Sequence, residues 1–169
     1  MKHKKNFHRF DVLFCSIIVL SSISFLNNAN ALFHDQGSQQ DGVIDDSKKI
    51  IESLFDRVNI ASTNYQSEIS FLNQSINDNE TMINTTQGYI DNLKEIILFA
   101  KKTTVQQDYK PVLNNYIASI KNEIDSYVHY KEYLVTGNLT ENKLSMDLLS
   151  YAFNYETQAI KLYKQLQSP

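Results

Sequence analysis

The sequence predicts an all-α fold, an antiparallel up-down four-helix bundle, on three observations. Apolar residues recur at helical spacing from Ile44 to Leu166. Neither proline nor glycine interrupts the chain from Val43 to Gln87. No stretch alternates in the manner of a half-buried strand. Most prominent is a ladder of isoleucines seven residues apart, Ile69, Ile76, Ile83, Ile90 and Ile97. Three positions further on stand Leu72, Asn79, Thr86, Leu93 and Ala100. Such a heptad makes one apolar stripe on a helix and drives it against other helices. It speaks to architecture and hardly to chemistry.

The chain opens with Lys2, Lys4, Lys5 and Arg9, then an apolar run from Val12 to Leu26, then Ala29-Asn30-Ala31. A basic start, a short apolar centre and a small-x-small site predict a signal peptide over residues 1–31, cleaved after Ala31. The apolar run is shorter than the roughly 20 residues a membrane-spanning helix needs. Cys15 sits inside that run rather than at its end, which argues against lipid modification. The expected location is secreted or extracytoplasmic, in the cell envelope, with membrane association only if the leader stays uncleaved.

Of 16 basic and 19 acidic residues, the leader takes four and one, leaving the mature part 12 and 18, a net charge of −6. That sign disfavours nucleic acid and anionic membranes as partners, since both require a basic face. The only cysteine, Cys15, leaves with the leader, so an exported domain must stand on its core alone. Residues 32–40 read as a flexible lead-in and residues 41–169 as one helical bundle domain.

Asp41 is a plausible cap for the first helix, with Asp45 and Asp46 in the turn where the dipole favours negative charge. Ile44, Ile51, Val58, Tyr65 and Leu72 then carry one seam, and Phe55, Ser62 and Ile69 the second. An unbroken helix from Val43 to Lys102 would be about 90 Å long. The weak helix formers Asn77-Asp78-Asn79-Glu80 predict a break there. The alternative is one long coiled-coil helix with two shorter helices against its C-terminal half. Lys101 and Lys102 suit the end of the second helix, and Pro111 the first turn of the third. The third stripe is Leu113, Ile117, Ile120, Ile124, Tyr127 and Leu134, stopping at Gly137, a natural left-handed cap. Asn138-Leu139-Thr140-Glu141 has the form of a capping box. The fourth helix is expected to bury Leu148, Ala152, Tyr155, Ala159, Leu162 and Leu166.

Catalytic chemistry finds little footing. The mature part holds only His34 and His129, and His129-Tyr130-Lys131-Glu132 reverses the Glu-x-x-His order of di-iron bundles and occurs once. No metal, haem or other cofactor is expected. Without a mature cysteine, a Gly-x-Ser-x-Gly or a phosphate loop, no catalytic residue is assigned and an enzyme is not expected. The acidic residues lie beside lysines, as at Lys94-Glu95 and Lys131-Glu132, the pattern of a solvated face.

Tyrosine is the distinctive residue. Eight of ten fall from Tyr109 onward. Rings on a helix fill a core while their hydroxyls reach the rim. Tyr130 and Tyr133 are also a candidate interaction surface, because aromatic residues are enriched where partners dock. Sequons at Asn73, Asn79, Asn84 and Asn138 are candidate glycosylation sites. Asn79 and Asn138 are expected at the same end of the bundle. Two functions fit: a structural or protein-interaction bundle, partnered by another protein or by itself, or a sensor or carrier that holds a small ligand between helices. A cavity lined by tyrosine and asparagine would favour the second.

Overall fold

The computed structural model describes residues 46–74 and 79–168, with the side chains of all but 73 and 74. The expected signal peptide, lead-in and Asp41 cap lie outside the described residues. Four helices pack together: α1 (Asp46–Gln74), α2 (Asn79–Lys102), α3 (Lys110–Thr136) and α4 (Leu139–Gln167). No strand occurs among the described residues.

The isoleucine ladder belongs to two helices. Tyr65 of α1 stacks on Tyr89 of α2 with ring centroids 4.5 Å apart, and its hydroxyl lies 3.1 Å from Thr86 Oγ1. In one continuous helix residues 65 and 89 would stand about 36 Å apart. The chain therefore folds back between Gln74 and Asn79, and the long-helix alternative is overturned. Ile69, Ile90 and Ile97 are buried and Ile83 is half-buried, while Ile76 lies outside the described residues.

Contacts at the two ends fix the up-down order. At one end Gln106 N–H donates to Ser47 Oγ at 2.9 Å, Tyr163 OH donates to Glu52 Oε1 at 2.6 Å, and Gln167 Nε2 donates to Tyr109 OH at 3.2 Å. These join the start of α1, the α2–α3 connection and the end of α4. At the other end Asn79 Nδ2 donates to the Leu134 carbonyl at 3.0 Å. Pro111 lies in the first turn of α3, preceded by one turn of 3-10 helix over Gln107–Tyr109. Gly137 has φ 70° and its N–H closes on the Tyr133 carbonyl at 2.7 Å, the left-handed cap the sequence predicts.

Asn138 caps α4 by accepting from Thr140 N–H at 3.0 Å. The box is completed differently from expectation. Glu141 turns to His129 of α3, 2.7 Å from Nδ1, and the Asn138 N–H is satisfied by Thr136 Oγ1 at 3.1 Å.

α3 and α4 form the tightest pair, and here periodicity misjudged the buried face. Tyr155 and Leu166 are exposed and Leu148 and Leu162 half-buried. Buried in their place are Asn142, Ser145, Leu149 and Tyr163, beside Ala152 and Ala159. Small residues explain the rotation. Ser119 Oγ donates to the Ala152 carbonyl and Ser126 Oγ to the Ser145 carbonyl, both at 2.8 Å. A side chain as short as serine reaches the neighbouring backbone only where the two helices run close. Ser145, Ala152 and Ala159 allow that approach; an apolar pattern registers the two alanines but not Ser145.

Candidate functional site

The centre of the bundle is a layer of rings. Tyr127 of α3 sets its ring edge-on to both Tyr65 and Tyr89, with centroids at 5.2 and 5.1 Å. Phe55 of α1 meets Tyr116 of α3 at 4.5 Å and Tyr163 of α4 at 5.5 Å, again edge to face. These are the preferred geometries of aromatic quadrupoles and pin four helices to one another.

Two carboxyl groups enter this layer. Tyr89 OH donates to Glu123 Oε1 at 2.7 Å. Burial pushes Glu123 up to about 7, opposed by that hydrogen bond. Glu156 of α4 is also pushed up to about 7, by burial first and then by the charge of Glu123. Neither fits the solvated-face pattern that the acidic residues suggest in sequence. A signal was present: Tyr116, Ser119, Glu123, Ser126, Tyr130 and Tyr133 step by three and four along α3, as do Ser145, Leu149, Ala152, Glu156, Ala159 and Tyr163 along α4. Each glutamate thus occupies a seam position.

Tyr116 is 1% exposed, and its hydroxyl finds no partner among the described residues. Its ionisation is pushed well up by burial and then by Glu156, Glu123 and Asp56. An unsatisfied buried hydroxyl costs about 1–3 kcal/mol. Tyr116→Phe is therefore expected to raise the unfolding free energy by about 1 kcal/mol, read as a rise of a few degrees in Tm.

The second feature is an open groove of about 460 Å³ between α1 and α2. Its walls are Ala61, Asn64 and Glu68 on α1 and Asn84, Thr85, Gly88 and Asn92 on α2, over Tyr65 and Tyr89. Asn84, Gly88 and Asn92 follow at intervals of four and so line up along one face of α2. Gly88 is the gap between two amides. A Cβ placed there would meet nothing within 4 Å, so close packing does not account for a glycine inside this helix. In sequence Asn84 stands out only as a sequon, and Gly88 as a lone glycine inside a helix. The regular Asn-x-x-x-Gly-x-x-x-Asn spacing was the available signal.

The residues singled out from sequence are placed as follows. Tyr130 is 2% and Tyr133 5% exposed, so the candidate interaction surface is corrected: both rings lie inside the bundle. They alternate with Ser126 and Leu134 on the buried side of α3. The outward tyrosines are Tyr151 and Tyr155 of α4, 55% and 38% exposed. Asn79 and Asn138 do meet at one end, Asn79 bonded beside the α3–α4 connection. Asn84 stands on the groove wall, and the side chain of Asn73 is outside the described residues. His129 is half-buried against Glu141 of α4 instead of lying on the surface beside Glu132. Among the described residues no three His, Cys, Asp or Glu side chains gather as metal ligands, and no helix is long and apolar enough to cross a membrane.

Chemically, the ring layer offers acids that titrate near neutrality, and the groove offers accessible hydrogen-bonding groups. No family model matches the chain, no curated protein does, and no solved structure does.

Proposed function

We propose that this chain is an exported binding module without catalytic activity, which seats a small ligand in the groove between α1 and α2. One observation carries the reading: a groove of about 460 Å³, lined by three asparagines and two tyrosines and opened by a mid-helix glycine. That volume lies within the roughly 300–1,000 Å³ of small-molecule sites. The leader sequence supports export. Gly88 supports a ligand, because glycine inside a helix costs about 0.5–1 kcal/mol relative to alanine and gains no packing here. Gly88→Ala is accordingly expected to raise stability by about that amount in thermal unfolding.

The test is an amide-shift survey of the full chain with neutral sugars, amino acids and nucleosides. Shifts confined to residues 61–68 and 84–92 support the proposal. Shifts elsewhere only, or none with any of these classes, overturn it.

A second reading, a protein-interaction role, draws on the outer face of α4. Leu144, Tyr151, Tyr155 and Leu166 are exposed there, and Leu148 and Leu162 are half-buried between them. Self-association through this stripe predicts a dimer by light scattering that Tyr151→Glu disperses. A monomer at micromolar concentration contradicts it.

A further inference from the structure

We infer that the groove between α1 and α2 is built for a short uncharged saccharide; this rests on the binding role proposed above and names its ligand class. Charge makes the first selection. Among the described residues, Glu68 is the only ionisable group along the groove other than the two tyrosines, and no lysine, arginine or histidine lines it. Phosphates, carboxylates and sulfates would meet no cation and one anion.

Hydrogen bonding makes the second. Among the described residues, Asn64, Asn84 and Asn92 make no side-chain hydrogen bond, whereas nearby amides on the same helices are tied down. Gln66 Nε2 donates to Ser62 Oγ at 3.3 Å and Gln87 Nε2 to Asp91 Oδ1 at 2.8 Å. Each free asparagine offers two donors and an acceptor on one planar group, which matches adjacent hydroxyls on a sugar ring. Thr85 adds a hydroxyl, and Glu68 a strong acceptor for sugar O–H groups.

Shape makes the third. Asn84 and Asn92 are two helical turns apart, about 12 Å. That exceeds one pyranose ring and suits two or more in a row, with the missing side chain at Gly88 admitting a ring between the amides. Tyr65 and Tyr89 are spent on stacking against each other, so the groove offers too little apolar area for a predominantly hydrophobic ligand.

The experiment titrates the full chain with maltotriose and with N,N′-diacetylchitobiose, followed by amide shifts and calorimetry. A diuronate and the uncharged peptide N-acetyl-trialanine amide serve as comparisons. The expected result is saturable shifts at residues 61–68 and 84–92 with a neutral saccharide, at a Kd of about 1 mM or tighter. Asn84→Ala and Asn92→Ala should each weaken binding about tenfold. Gly88→Leu should abolish it without lowering Tm.

If the peptide or the uronate shifts the groove and neither saccharide does at about 10 mM, the ligand class is overturned while the groove stands as a binding site. If no probe shifts it, both fall. Saccharide binding undiminished in Gly88→Leu overturns the location. A glycan found on Asn84 of the native protein would fill the groove and overturn the inference as well.

Discussion

Raising the pH from about 5 to about 8 is expected to destabilise the bundle, and Glu123→Gln with Glu156→Gln is expected to remove most of that dependence. Both groups have folded-state values near 7, above the ordinary 4.5 of an unfolded glutamate. Between those values the native state binds more protons than the unfolded one, so stability falls as pH rises. The neutral acids leave stability intact below about 4.5; the loss accumulates through the window and is complete above about 7.

A shift of this size corresponds to about 3 kcal/mol for one isolated group. The two side chains are half-buried and coupled, so a total on the order of 3 kcal/mol for the pair is expected. Asp56 of α1, also raised, adds to the same trend but weakly because it is exposed. Tyr89, Tyr116 and Tyr127 face the pair and stay neutral throughout, since burial drives all three well above the usual tyrosine range. Urea unfolding at several pH values measures the effect. A pH-independent midpoint in the unmodified chain, or an unchanged slope in the double glutamine variant, would remove the acids from the ring layer.

Tyr130→Ala combined with Tyr133→Ala is expected to unfold the protein or nearly so. Truncating a large buried aromatic side chain costs about 3–5 kcal/mol, and two in one seam approach the whole stability of a typical domain. The rings lie 6.3 Å apart on the buried side of α3. Had they formed a docking surface, the pair could be removed with Tm nearly unchanged. Circular dichroism melts of the single and double variants distinguish the cases: a loss of more than about ten degrees per single change places them in the core.

The architecture was legible because it follows from large side chains and from backbone chemistry. Asn79-Glu80 marked the start of α2, Pro111 the start of α3, and Gly137-Asn138 the tight connection, each through a local rule that tertiary packing did not override. The α3–α4 seam was not legible in the same way. Ser119, Ser126 and Ser145 do not register in an apolar pattern, yet together with the correctly placed Ala152 and Ala159 their small size decides which face of α4 turns inward. Glu123 and Glu156 were hidden by their charge, which marks a residue as solvated until a neighbouring helix is known to cover it. The groove was half visible. Asparagine and tyrosine were expected to line any ligand site, but the pairing of Asn64 with Gly88 depends on how α1 and α2 are staggered, which neither helix records alone.

The most direct measurement is a crystal structure of the full chain grown with maltotriose or N,N′-diacetylchitobiose. The expected result is sugar density in the groove, with hydroxyls on the Asn84 and Asn92 amides and a ring over Gly88. A groove left empty while sugar occupies another face, or one closed by Asn64, Asn84 and Asn92 bonding to one another, would contradict the binding role assigned to it.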